Sequence, residues 1–361
     1  MTYALGWKTE KNVFLAADSA LTTFDQSAEP DRERSSFGEN HHKDPVKKVE
    51  ERMPKLLLRK NIGATFAGNV QLATQIIGTF HEEIDKGLSP KKSLEWSISL
   101  HNPKPSDRTV TIIIGYYQDG YPHLLTFNSQ DDHSIREDEI LVQAGSLPQD
   151  YCDFTEYSLA HILPETVFHP DRHLASMLGI FQTYSLFDEL MEHGVGGAFS
   201  GLFIGEEGSN WQPDILFILE GKLVSTCFRD DCLLINSPTI GESRCLIAYL
   251  PPKSKDEIAM QGSSAIEKAK KLRDEAKFDF VVMINDKNKT ITLIEMAKKK
   301  RHAMLWLDHL KSGERTGTSI ARFPQLEEIV NEDTFFKNIP YLEPEMDTIP
   351  EDKIVRTQIG L

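Results

Sequence analysis

Short apolar blocks alternate with polar punctuation from the second residue onward. TYALGWK (2–8) and NVFLAADSA (12–20) are apolar-rich and flank the polar TEKN, a pattern that predicts two antiparallel strands joined by a turn. Residues 24–52 are rich in charge, Pro, Gly, Ser and His with little periodic apolar signal, which predicts a long exposed loop. KLLL (55–58) and IGATFAG (62–68) then form a second hairpin around Arg59–Asn61.

Apolar side chains at Val70, Ala73, Ile77, Phe80 and Ile84 make a helical stripe that closes at Gly87. Ser89 followed by Pro90 starts another helix, to about His101. TVTIIIGYY (109–117) and YPHLLTF (121–127) form a third hairpin. A strand at 139–145, helices near 153–162 and 172–192, and strands near 199–206 and 213–220 follow. Strands and paired helices in that order suit helices on the outer faces of stacked antiparallel sheets, an α+β fold. Beyond about residue 225, CLIAYLPP, a polar helix-like stretch at 255–277 and the strands FDFVVMIND and KTITLIEM predict a smaller C-terminal α/β extension (226–361), whose last part is Pro- and acid-rich.

The chain has 361 residues, long for one domain and ample for a sizeable core. No apolar run approaches the ~18 residues of a membrane span. Lys8, Glu10, Lys11 and Asp18 interrupt the start, so no secretory leader is read there and the cytoplasm is the expected compartment. The net charge of −15 disfavours nucleic acid as a partner, and the basic run Lys298, Lys299, Lys300, Arg301 is expected to be a solvated surface after a strand. Cys152, Cys227, Cys232 and Cys245 show no C-x-x-C pair and no His at zinc spacing, and His41 and His42 lie in the polar loop, so no metal site is assigned.

The hydroxyl residue Thr2 stands at the edge of the first strand. A hydroxyl is a poor nucleophile until a base takes its proton, and the chain's own α-amine, with a pKa near ~7.7–8.0, is one such base. Only Met1 precedes Thr2, and an initiator Met before a small residue is expected to be removed, leaving that amine free.

Four pieces carry a resemblance to a known family. Thr2 begins a strand; Asp18 in FLAADSA follows sixteen residues later; Lys55 lies in PKLLL; and ATFAGNVQLATQ (64–75) places Gly68 thirteen residues after Lys55, ahead of a helix. Together they resemble the N-terminal-nucleophile hydrolases, and within them the proteasome β-subunit branch with its self-standing bacterial relatives. The resemblance covers about residues 2–220, is most specific in the first 75, and does not reach the extension.

It implies a four-layer αββα sandwich over 2–225, with 24–52 as a long inserted loop. It further implies a threonine-type peptidase or amide hydrolase without metal or organic cofactor. Thr2 Oγ would attack a carbonyl, its α-amine would relay the proton, Lys55 paired with Asp18 would lower the amine's pKa, and the Gly68 N–H would meet the oxyanion. Lys48 in VKKV competes with Lys55 for the lysine role. For the family's supporting groups the chain offers Ser146 in QAGSLPQ, but only Glu192 where an Asp is expected and Gly194 or Val195 where a Ser is expected. Met53, Leu57, Phe66 and Val70 would line the first specificity pocket, and Leu21, Thr22 and Thr23 would present backbone groups to an extended peptide. A homo-oligomer follows from the resemblance, and a protein partner would use 24–52 or 226–361. A catalytically silent proteasome-like subunit or scaffold and a small-molecule amide hydrolase are the alternatives.

Overall fold

The computed structural model describes residues 2–23, 35–37, 39, 42–43, 47–52, 55–103, 109–131, 134–163, 169–187 and 189–220, and beyond these Asp279 and the strands named below. The fold is mixed α and β, with several antiparallel sheets and few helices. Contacts divide the chain into two compact units: Met1–Ser35, Asn40–Leu178 and Glu189–Gln212, and Ser36–Glu39, Gly179–Asp188 and Pro213–Leu361.

The predicted hairpins fall where the apolar alternation puts them. In the first unit β1 (Tyr3–Lys8) pairs antiparallel with β2 (Asn12–Ala17), Trp7 opposite Phe14. Next come β3 (Ala20–Thr23), β4 (His42–Lys43), β5 (Lys48–Glu51), β6 (Leu56–Arg59) and β7 (Ile62–Gly68). Helices α1 (Val70–Asp85) and α2 (Pro90–His101) precede β8 (Val110–Gln118), β9 (Tyr121–Asn128), β10 (Ile135–Glu137) and β11 (Leu141–Gly145). After α3 (Gln149–Tyr157), a π-turn (Ser158–Ile162), α4 (Pro170–Phe187), which belongs to this unit as far as Leu178, and a 3-10 turn (Leu190–His193), β12 (Ser200–Gly205) and β13 (Gly208–Trp211) end the unit. Three sheets result, ordered β11-β1-β2-β12-β13, β10-β9-β8-β7-β6 and β3-β5-β4.

Strand alternation sends neighbouring side chains to opposite faces. From β1, Tyr3 meets Tyr151 of α3 edge-on, and the Trp7 indole N–H donates to Nε2 of His173 in α4 at 3.0 Å. Ala4 faces the other way, into a core it shares with Val13, Leu15, Ala17, Ala67, Ile113, Leu124 and Leu202 from both five-stranded sheets. The sheets approach closely through missing side chains: a Cβ on Gly6 would lie 2.7 Å from Ile113 Cγ2, and one on Gly63 would lie 2.8 Å from Leu15 Cδ1 and from Leu202 Cδ1. The opposite face of β7–β9 packs under α1 and α2 through Phe66, Ile112, Phe127, Ala73, Ile77, Phe80 and Leu94. Burying an aromatic such as Phe80 contributes about 2–3 kcal/mol.

The segment 24–52 departs from the expected exposed loop. It contains β4 and β5, and the described Ser35, Phe37 and Glu39 are buried. β5 reads KVEE, with a single apolar residue, so it escapes detection by periodicity; its place is set by main-chain pairing with β3, Thr22 opposite Val49. In the second unit, the Phe37 ring meets Phe217 edge-on at 5.1 Å, and Ser185 donates to Glu39 Oε1 at 2.8 Å.

The strand read at 213–220 is β14 (Ile215–Glu220), and it belongs to the second unit's sheet. The other strands there are β15 (Cys232–Ser237), β16 (Thr239–Ile240), β17 (Ser243–Arg244), β18 (Ile247–Tyr249), β19 (Phe280–Asn285), β20 (Thr290–Glu295), β21 (Lys300–Leu307), β22 (Thr318–Arg322) and β23 (Val355–Ile359). Eight of these ten strands form one sheet of order β18-β15-β14-β19-β20-β21-β22-β23, in which β14 and β19 run parallel and the other described pairs antiparallel, while β16 and β17 form a separate ribbon. Of the basic run, Lys300 and Arg301 begin β21, and the helix-like stretch 255–277 lies outside the described residues. Among the described residues no helix is long and apolar enough to cross a membrane.

Candidate active site

Asp18 follows β2, whose register brings it back beside the start of β1; its own N–H donates to the Tyr3 carbonyl at 3.2 Å. Its carboxylate gathers four donors. Thr2 Oγ1 donates to Oδ1 at 2.9 Å, the Tyr3 N–H to the same oxygen at 3.0 Å, and Lys55 Nζ to it at 2.5 Å. The Gly196 N–H takes the other oxygen, Oδ2, at 3.0 Å. Thr2, Asp18 and Lys55 are only 3%, 1% and 1% exposed, so these polar contacts operate away from bulk water, where they are strong and costly to leave unmade.

Lys55 directly precedes β6, and Leu56 behind it is fixed in the core between the sheets, which aims the ammonium at Asp18. Burial pushes the Lys55 pKa below the ordinary lysine value, and the attraction and hydrogen bond of Asp18 oppose that shift. Lys48 is placed elsewhere: on β5 its Nζ pairs with Glu50 Oε2 at 2.8 Å, and Glu50 also meets Arg52. The sequence left Lys48 and Lys55 as rivals; the geometry brings Lys55 to Asp18 and Thr2.

Gly68 ends β7 at φ +97°, where a Cβ would fall 1.8 Å from the Thr109 carbonyl oxygen, so this corner accepts only glycine. Asn69 next to it caps α1, its Oδ1 accepting from the Leu72 N–H at 3.1 Å. The result is a strand-to-helix turn with a helix N-terminus behind it, a place suited to an anion.

The remaining predicted residues fall into two groups. Ser146 is beside Thr2 through its main chain: its N–H donates to the Thr2 carbonyl at 3.2 Å, and the preceding Gly145 has φ +131°, with no room for a Cβ 1.7 Å from that carbonyl oxygen. Leu21 and Thr22 lie on β3, an edge strand of its sheet. Glu192, in contrast, is exposed on the 3-10 turn and its carbonyl accepts from Lys47 Nζ at 3.0 Å, while the Gly196 N–H a few residues on is the group of this segment that reaches Asp18. Phe66 is 1% exposed in the core beneath α1, with Leu57 and Val70 packed against the same cluster, so these three build the wall under the helices. Met53 lies outside the described residues.

In LMEHGVGGAFSG the residue types point to Glu192, Gly194 and Val195, but the group of this segment that reaches Asp18 is a main-chain N–H, that of Gly196. Gly194, Gly196 and Gly197 all have positive φ, and the run of glycines was the available signal of an unusual backbone. Among the described residues no group of three or more His, Cys, Asp or Glu is arranged to hold a metal ion. No protein-family model matches the chain, and no curated protein matches it.

Proposed function

We propose that the chain is a threonine-type hydrolase of peptide or amide bonds, of the N-terminal-nucleophile kind, with its first unit an αββα sandwich. The observation that carries the reading is the meeting of Thr2 Oγ1 and Lys55 Nζ on a single buried oxygen, Asp18 Oδ1. The layer assignment is supported by the core between the two five-stranded sheets, by α1 and α2 on one outer face, and by the α3 and α4 contacts of Tyr3 and Trp7 on the other.

In this reading Met1 is removed and the freed α-amine of Thr2 is the base. Thr2 Oγ attacks the carbonyl carbon while its proton passes to the amine, and the oxyanion forms at the Gly68 corner. Lys55 keeps the adjacent amine from being fully protonated by like-charge repulsion, and Asp18 holds Lys55 and orients the hydroxyl. Collapse expels the amine with the relayed proton and leaves an ester on Thr2, which water hydrolyses by the reverse route. Assembly into a homo-oligomer and recruitment of a partner through 24–52 or 226–361 belong to the same proposal.

The test is mass analysis of the N-terminal peptide before and after incubation with a peptide epoxyketone, which needs a hydroxyl and a free amine on one residue. A Thr2 start with a doubly linked adduct is expected. Thr2→Ala should remove both adduct and hydrolysis, and Thr2→Ser should keep part of each. Retained Met1, or a free Thr2 inert to every amide and epoxyketone tried, would replace this reading with a catalytically silent scaffold.

A further inference from the structure

Two backbone segments far apart in sequence, 18–20 and 196–198, are stitched together beside the site. The Gly196 carbonyl accepts from the Ser19 N–H at 3.3 Å and from the Ala20 N–H at 3.1 Å, while the Gly196 N–H reaches Asp18 Oδ2 at 3.0 Å. What holds the turn in that pose is a side-chain triangle. Ser19 Oγ donates to Glu51 Oε1 at 2.9 Å, and the Ala198 N–H is shared between Ser19 Oγ at 2.7 Å and Glu51 Oε1 at 2.9 Å. Glu51 itself is fixed at the end of β5, opposite Ala20, with the Arg52 N–H on the Ser19 carbonyl at 3.0 Å.

The turn is closed tightly over this pair. Gly197 has φ +70°, and a Cβ there would stand 2.6 Å from Ser19 Oγ and 3.0 Å from Glu51 Cγ. An outward movement of the turn would break the Ala198 bonds and those of the Gly196 carbonyl and would withdraw the Gly196 N–H from Asp18. A carboxylate acceptor suits the task because hydrogen bonds to an ionised oxygen are about twice as strong as neutral ones, and one such oxygen here takes two donors.

We propose that Glu51 is a positioning residue, which holds the Gly196–Ala198 turn through Ser19 so that the Gly196 N–H fixes Asp18, and with it Lys55 and Thr2. Its catalytic consequence rests on the hydrolase reading above; its geometry does not. Glu51 touches neither Thr2 nor the reacting carbonyl in that mechanism. Its effect passes through the turn and should therefore appear in turnover rather than in substrate binding.

The experiment compares the full chain with Glu51→Leu, which cannot accept, Glu51→Gln, which keeps an acceptor oxygen, and Ser19→Ala. Two readouts are taken: amide hydrogen exchange at Gly196 and Ala198, and steady-state hydrolysis of an amide substrate. Glu51→Leu should lose at least ~10-fold in protection at both amides and about 10–100-fold in kcat, with KM within about twofold, since a hydrogen bond to a charged group is at stake. Glu51→Gln should recover most of both. If Glu51→Leu fails to fold, Ser19→Ala, which deletes one oxygen of the triangle, is read in the same way.

Wild-type protection in Glu51→Leu, or equal loss in Glu51→Gln, would overturn the positioning role whatever the activity. Lost protection in a protein whose wild type never acylates Thr2 would keep the role and sink the hydrolase reading instead.

Discussion

Replacing Asp18 by Asn removes one charge from a pair in which both side chains are excluded from water: Lys55 is 1% exposed and Asp18 0%. Breaking such a pair by deleting one partner costs about 3–5 kcal/mol, because the other charge is left buried and alone. Lys55 has an escape, since it can shed its proton. Deprotonating a lysine of ordinary pKa, about 10.4, at pH 7 costs about 4.6 kcal/mol, and that sets a ceiling on the electrostatic loss. Asn keeps an acceptor for the Thr2 hydroxyl and the Tyr3 N–H, but its amide nitrogen would face the Gly196 N–H, so one buried donor loses its acceptor. A loss of about 3–5 kcal/mol at pH 7 is therefore expected for the first unit.

The pH dependence carries the same argument with a definite sign. Burial already lowers Lys55 and Asp18 opposes that shift, so without Asp18 the folded pKa falls further. The unfolded chain then binds the proton that the folded chain has lost, and stability rises with pH between the lowered folded value and the ordinary one. Asp18→Asn should gain stability from pH 7 to 10 more steeply than wild type, by up to about 1.4 kcal/mol per pH unit. Lys55→Met is the milder substitution, because the carboxylate it leaves behind keeps three hydrogen-bond donors, the Thr2 hydroxyl and the Tyr3 and Gly196 N–H groups. Urea-dependent hydrogen exchange on peptides covering Tyr3–Ala17 reports the first unit separately from the second, which a single melting curve would not. A loss below about 1 kcal/mol with an unchanged pH slope would refute the charge coupling of Asp18 and Lys55.

Two further outcomes are expected. His173, buried against Trp7 and Phe14, has its pKa pushed down by burial to about 4 from 6.5, so its contribution is complete above pH 6.5 and lost as pH falls toward 4. That loss amounts to up to about 3 kcal/mol, and His173→Gln, which can still accept from the indole, should flatten it in acid titrations of stability. Gly145→Ala forces a Cβ against the Thr2 carbonyl oxygen at an exposed strand end. Under the hydrolase proposal its hydrolysis rate should drop at least ~10-fold, because the displaced group is the backbone of the proposed nucleophile; wild-type kinetics would show that Thr2 needs no such support.

The local pattern of the chain is enough to locate the hairpins β1–β2, β6–β7 and β8–β9 and the helices α1 and α2, because period-2 and helical apolar stripes and their turn residues act over a few positions. The sixteen-residue return from Thr2 to Asp18 is legible for the same reason: a hairpin of fixed register brings its ends together. β5 was not legible, since KVEE has no alternation and exists by pairing with β3. Nor was the allegiance of β14, whose own sequence says strand but not which sheet; its partners β15 and β19 are supplied by chain that comes later.

At the site the sequence proposed Thr2, Asp18, Lys55 and Gly68, and it left Lys48 open. Tertiary packing separates the lysines in space: Lys48 is held by Glu50 within its own strand and Lys55 reaches Asp18 across 37 residues. It also brings the Gly196 N–H, 178 residues from Asp18 in the chain, to that residue's other carboxylate oxygen. A main-chain donor has no residue type to announce it, and its direction is fixed only when the turn closes on Ser19 and Glu51. Sequence thus determines the elements and the side chains available to them, while the fold decides which donors meet the buried carboxylate, because that meeting depends on contacts between segments with no local code in common.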